Sequence, residues 1–124
     1  MKIIFLKLII LSILTVSCTK EVNYFKDEMN QIMVKKDPRI EFVLANNFEG
    51  KLSSCKDYRG KCLNVFGIKL GLLYFIGVEY ISKEEAKKAA IKYRGYFLHN
   101  WFFDDVTGEP ALEELMKKLE AQKP

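Results

Sequence analysis

Apolar residues recur along this chain at two spacings, and the switches between them mark its elements. Val22, Phe25, Met29, Ile32 and Met33 stand three and four apart. That places them on one face of a helix, with Lys26, Asp27, Glu28 and Asn30 outside. The helix is predicted over Glu21–Lys36 and stops at Asp37-Pro38, because proline disfavours helix in the residue before it. Ile40, Phe42 and Leu44 then alternate with Glu41, Val43 and Ala45, the pattern of a short strand with one wetter face. Asn46-Asn47 and Glu49-Gly50 read as turns. From Cys62 to Ile81 the chain is strongly β-favouring, and Lys69-Leu70-Gly71 is predicted to fold it into a hairpin of two central strands. Gly67 and Gly77, inside those strands, suggest bulges or close packing. The apolar run Leu70–Val78, bracketed by Lys69 and Glu79, is too short to span a bilayer.

Ser82-Lys83-Glu84-Glu85 has the form of a capping box. It opens a helix whose inner face is predicted to hold Ala86, Ala89, Ala90, Tyr93, Phe97 and Trp101, with Lys83, Lys87, Lys88 and Lys92 outside. Asp104-Asp105 and Thr107-Gly108 break the chain, and Pro110 suits the first position of a last helix striped by Leu112, Leu115, Met116 and Leu119. The expected fold is α+β: an antiparallel sheet of about three strands with helices on one face, in the order α-β-β-β-α-α.

The first seventeen residues carry a different pattern. Lys2 and Lys7 supply positive charge around an apolar stretch of Ile, Leu and Phe that ends in Thr15-Val16-Ser17-Cys18. A charged start, a short apolar core and small residues before a cut form the pattern of a secretory signal. Leu14-Thr15-Val16-Ser17-Cys18 resembles the lipobox of bacterial lipoproteins, with Thr15 standing where the family prefers Leu. Thr15-Val16-Ser17 also fits an ordinary small-x-small cleavage site. The resemblance covers only the leader and Cys18. It implies a signal peptide over 1–17, a lipid on Cys18, and a single mature domain over 18–124 anchored in a membrane. Thr19 is not the Asp that retains enterobacterial lipoproteins at the inner membrane. The implied address is therefore the cell envelope, at the outer membrane facing the periplasm.

There are 3 cysteines, an odd number for a secreted chain. A lipid on Cys18 leaves Cys55 and Cys62, which flank a polar stretch containing Gly60 and are expected to form a disulfide in an oxidising compartment. Two thiols and one distant histidine do not make a zinc site. Lys and Arg number 20 against 16 Asp and Glu, a formal net charge of +4. Loss of Lys2 and Lys7 lowers that further, too mild a balance to argue for nucleic acid. The aromatic and β-branched content is too rich for a disordered tether.

No motif requires a cofactor, a metal or a catalytic group. His99 is the only histidine, and Asp104 and Asp105 are its partners by sequence proximity alone. Ser53-Ser54 belongs to no nucleophile elbow, and Asp104–Gly108 lacks the ligand positions of a calcium loop. Two stretches suit binding. Beyond Tyr93 the predicted helix turns apolar nearly all round, so Tyr96, Leu98 and Phe102 need a cover: either the last helix or a partner protein. The loop between Cys55 and Cys62 sets Lys51, Lys56, Arg59 and Lys61 about Tyr58, and offers Tyr58 and Arg59 as a second candidate face.

The expectation is a non-enzymatic envelope lipoprotein acting by protein–protein contact, of the immunity or inhibitor, exclusion or secretion-accessory type, with an envelope or toxin protein as partner. The alternative is a module for a lipid or cell-envelope ligand, with a pocket lined by Tyr74, Ile76, Tyr93 and Phe97.

Overall fold

A computed structural model describes residues 21–46 and 52–124. The leader and Cys18 lie outside the described residues, as do Lys51 and the turns expected at Asn47 and Glu49-Gly50. The elements run α1 (Lys26–Lys36), β1 (Ile40–Val43), a single 3-10 turn (Cys55–Asp57), β2 (Cys62–Leu70), β3 (Leu73–Tyr80), α2 (Lys83–Tyr93), β4 (Tyr96–Leu98), β5 (Trp101–Asp104) and α3 (Pro110–Leu119). The fold is α+β. Its sheet is antiparallel throughout, in the order β1-β2-β3-β5-β4.

The sheet has 5 strands rather than about three. The difference arises after Tyr93, where the expected helix stops. Arg94 adopts a left-handed conformation (φ 57°, ψ 49°), and Gly95 follows. A Cβ on Gly95 would stand 2.4 Å from the Phe103 carbonyl oxygen, so only glycine lets the chain pass here. Tyr96–Leu98 and Trp101–Asp104 then pair as a hairpin around His99-Asn100. An apolar run with no polar side suits a strand covered on both faces.

Both faces of this sheet are indeed covered, a second departure from the expected single helical layer. Strand β3 sends Phe75 to one side and Ile76, Val78 and Tyr80 to the other, all buried. Each side therefore needs its own cover. On the first, Met29 and Met33 of α1 and Leu112, Leu115, Met116 and Leu119 of α3 pack with Ile40, Ile68, Phe75, Trp101 and Phe103. On the second, Ala86, Ala89 and Ala90 of α2 pack with Ile76, Val78, Tyr80, Phe97 and Phe102. The alanines let α2 lie close, and Ser82 Oγ caps it by accepting from the Glu85 N–H (3.3 Å) while the Glu85 carboxylate turns to Lys88 (3.6 Å). Gly77 serves the first face: a Cβ there would lie 2.7 Å from Ile68 Cδ1 and 3.3 Å from the Trp101 ring.

The first helix begins at Lys26, not Glu21, and Phe25 is 70% exposed instead of lining the core. Residues 21–25 lie outside the helix, and at Tyr24 the backbone is held by side chains from elsewhere. The Tyr24 N–H donates to Asn100 Oδ1 (2.7 Å), and the Tyr24 carbonyl accepts from Asn100 Nδ2 (3.2 Å) and Trp101 Nε1 (2.8 Å). The β2–β3 turn falls at Gly71-Leu72, just beyond the predicted position, with Gly71 at φ 62°. At the outer edge of β4, Gln122 exchanges two backbone bonds with Phe97 (2.8 and 2.9 Å). Among the described residues, no helix is long and apolar enough to cross a membrane.

Candidate functional site

The stapled loop is fastened to the second face of the sheet at successive points. Cys55 and Cys62 are bonded, with their Cα atoms 5.5 Å apart. Ser54 opens the 3-10 turn. Its Oγ accepts from the Lys56 N–H (3.3 Å), and its N–H donates to Asp57 Oδ2 (2.8 Å). The Tyr58 ring stands edge-on to Tyr93 (5.4 Å) and Phe102 (6.1 Å), and its hydroxyl donates to Asp104 Oδ2 (2.8 Å). Burial, then the Asp104 charge, drives the Tyr58 hydroxyl far above the usual tyrosine range, so it stays a donor. The Arg59 N–H donates to the Tyr93 hydroxyl (2.8 Å), and the Arg59 carbonyl accepts from the Tyr80 hydroxyl (3.0 Å). The Lys61 carbonyl accepts from the Ile81 N–H (3.1 Å). The backbone is thus bound from beneath while the side chains of Lys56, Arg59 and Lys61 stand in solvent.

Beside the loop runs an open groove of about 600 Å³, lined by Asn46, Ser53, Tyr58, Tyr74, Ile76, Asp105 and Thr107. The Tyr74 hydroxyl accepts from the Asn46 N–H (2.8 Å) and donates to the Leu44 carbonyl (3.3 Å). Asp105 sits at φ 61°, its carboxyl pushed above the usual range by burial and by the neighbouring Asp104 charge. The groove joins aromatic surface to hydroxyl and carboxyl groups, a lining suited to binding a partly polar ligand or polypeptide.

The residues expected to form one partner face do not form one. Phe102 is fully buried under α2, against the rings of Tyr58 and Tyr93. Its cover is neither the last helix nor a partner, so it is no docking residue. Tyr96 and Leu98 pack on the opposite side of the sheet. The Tyr96 hydroxyl donates to Glu113 Oε1 (3.2 Å), and Lys123 Nζ lies 5.6 Å from its ring centre. The pocket expected from Tyr74, Ile76, Tyr93 and Phe97 is divided. Tyr74 and Ile76 line the groove, Tyr93 supports the loop, and Phe97 is in the core.

His99 occupies the β4–β5 turn at φ 51°, its ring edge-on to Tyr24 at 4.8 Å. Burial and the nearby Lys83 charge lower its affinity for a proton. Asp104 and Asp105 lie at the far end of β5, so the geometry does not bring the histidine to them. Among the described residues, no group of three His, Cys, Asp or Glu gathers as a metal site.

Sequence reasoning missed the joint between Tyr58 and Asp104, 46 positions apart, for which no local signal exists. It also missed the turn at His99-Asn100, although His and Asn are both enriched at the positive φ that His99 adopts. The chain shows no match to any family model, curated protein or solved structure.

Proposed function

We propose that this chain is a non-enzymatic lipoprotein of the cell envelope. A lipid on Cys18 holds it at a membrane, and it acts by contact with an acidic surface on another protein through the Cys55–Cys62 loop. The observation that carries this reading is the clamp on Arg59, whose peptide groups are bound on one side by Tyr93 and on the other by Tyr80. The backbone that carries this cation is already fixed, so binding need not order the loop, which lowers the entropic cost of association. The disulfide fits an oxidising compartment. The partner belongs with toxins, exclusion targets or secretion components of the envelope.

Two measurements test it. Cys18→Ser should abolish labelling by a fatty-acid analogue and leave an unprocessed precursor; labelling that persists removes the tether. A photo-crosslinking residue at position 59 should trap a defined envelope protein, and one at position 114 on α3 should not. Adducts identical at the two positions, or unaffected by high salt, argue against the loop as the contact.

A second reading rests on the groove at Tyr58, Tyr74 and Asp105, whose volume suits a small envelope fragment. A bound molecule retained by the purified protein in native mass spectrometry would select it.

A further inference from the structure

Segment 21–25 crosses one end of the sheet and gathers exposed apolar side chains there. Asn23 Nδ2 donates to the Ile81 carbonyl (3.2 Å), and the Glu21 carboxylate accepts from the Lys83 N–H at the start of α2. Tyr24 is bound at the β4–β5 turn. Phe25 and Leu63 line the same shallow groove. Leu63 is accessible because the β2–β3 register shifts between Cys62 and Asn64, leaving it as the extra residue of a bulge. The result is four exposed apolar residues at one end: Val22 (48%), Phe25 (70%), Leu63 (47%) and Ile81 (43%). Exposed Lys26, Lys61 and Lys83 rim them, interspersed with the exposed acids Glu21, Asp27, Glu28 and Glu84; Glu21 and Glu28 each accept a backbone N–H.

We propose that this end of the domain, through Val22, Phe25, Leu63 and Ile81, lies directly on the surface of the lipid bilayer. The inference rests on the lipid tether at Cys18 and goes beyond it, because a tether alone leaves the domain free to turn. Chain length commits the occupant. Three peptide units separate Cys18 from Glu21, a reach of about 10 Å at full extension. Val22 and Phe25 follow within four residues of Glu21, Ile81 is bonded to that segment through Asn23, and Leu63 shares the groove of Phe25, so a lipid on Cys18 brings these side chains to the headgroup region. Phenylalanine and leucine enter the acyl boundary there, and lysines meet anionic headgroups. The opposite tip of the β2–β3 hairpin, where Leu72 is fully exposed, stands roughly 27 Å away along β2.

The test uses the full chain, processed in cells and reconstituted into vesicles of phosphatidylethanolamine and phosphatidylglycerol. An environment-sensitive fluorophore is placed at Phe25→Cys, Ile81→Cys or, as the distant reference, Leu72→Cys. The mass of each sample reports whether Cys18 carries lipid. With lipid present, the labels at 25 and 81 should shift to the blue, be quenched by nitroxide lipids, and show several-fold less quenching by aqueous iodide than the label at 72. Lipidated protein whose labels at 25 and 81 are as open to iodide as that at 72 overturns the docking and leaves the tether standing. A mature chain without lipid overturns the tether and the docking together.

Discussion

Asn100 holds both backbone groups of Tyr24: Oδ1 accepts from its N–H at 2.7 Å, and Nδ2 donates to its carbonyl at 3.2 Å. Asn100 also donates to the Tyr80 carbonyl (3.0 Å), so one buried amide joins the N-terminal segment, β3 and the β4–β5 turn. Asn100→Leu keeps the bulk and removes every side-chain bond, leaving the Asn100 carbonyl to accept from the Tyr80 N–H (2.8 Å). Tyr24 retains the Trp101 indole on its carbonyl, but its N–H is left without that partner. The expected loss is about 1–3 kcal/mol in a denaturant melt, with faster amide exchange over residues 21–25. A change within about 0.5 kcal/mol would mean that the segment is held by other contacts.

Phe102 fills the space between α2 and the stapled loop and has no exposed surface. Phe102→Ala is expected to cost roughly 3–5 kcal/mol. The loop should loosen in the same variant, because Tyr58 and Tyr93 both rest on that ring. Unfolding with urea measures the first effect, and protease cleavage after Lys56 or Arg59 measures the second. Unchanged stability would return Phe102 to the surface.

Reduction of Cys55–Cys62 releases a loop closed over a separation of 7 residues. Chain entropy alone gives a loss of about 2.5 kcal/mol. Because the Tyr58, Tyr80 and Tyr93 hydroxyls also hold the loop, the reduced protein should remain folded with a lower melting temperature. Unfolding at room temperature on reduction would show those three bonds to be insufficient.

Acid should act on this protein through Asp37. Arg39 donates to both of its carboxyl oxygens (3.1 and 2.8 Å), and its own backbone N–H adds a third bond (3.0 Å). These bonds hold the carboxyl at about 2, below the ordinary 3.8. A carboxyl lowered on folding stabilises the native state above its ordinary value, and that contribution is lost as pH falls from near 3.8 toward 2. Asp105 works in the opposite direction. Its raised value means that the folded state holds the proton longer, so stability falls as pH rises through the range above 3.8. Carboxyl carbon shifts followed by NMR should show Asp37 titrating near 2, and Arg39→Ala should return it toward 3.8. An Asp37 midpoint unmoved by that substitution would falsify the pairing.

How far the fold could be read from the chain depended on whether one periodicity was interrupted by another. Leu112, Leu115, Met116 and Leu119 lie on a helix with clear ends, and all are buried as expected. Ser82 caps where its spacing predicts. Ala86, Ala89, Ala90, Tyr93 and Phe97 keep helical spacing across Gly95, yet Phe97 reaches the same core from strand β4. The side-chain pattern therefore ran through a backbone change that Gly95 and His99-Asn100 marked. The single-layer expectation failed for a related reason: alternation in β3 between two apolar sets, not between apolar and polar, calls for two covers. At the candidate site, the loop and its staple were legible because cysteines and glycine are local signals. Its foundation in Tyr80, Tyr93 and Asp104 was not, because those contacts join residues 21 to 46 positions apart.

The two backbone bonds between Gln122 and Phe97 give the end of the chain a protective duty. Strand β4 is an edge, and an edge with free N–H and C=O groups invites pairing with a second molecule. Gln122 occupies those groups as a strand one residue long. A chain cut after Leu119 would keep its core helices and lose this guard. Its expected failing is self-association at β4, visible as a concentration-dependent increase in sedimentation, rather than loss of the fold.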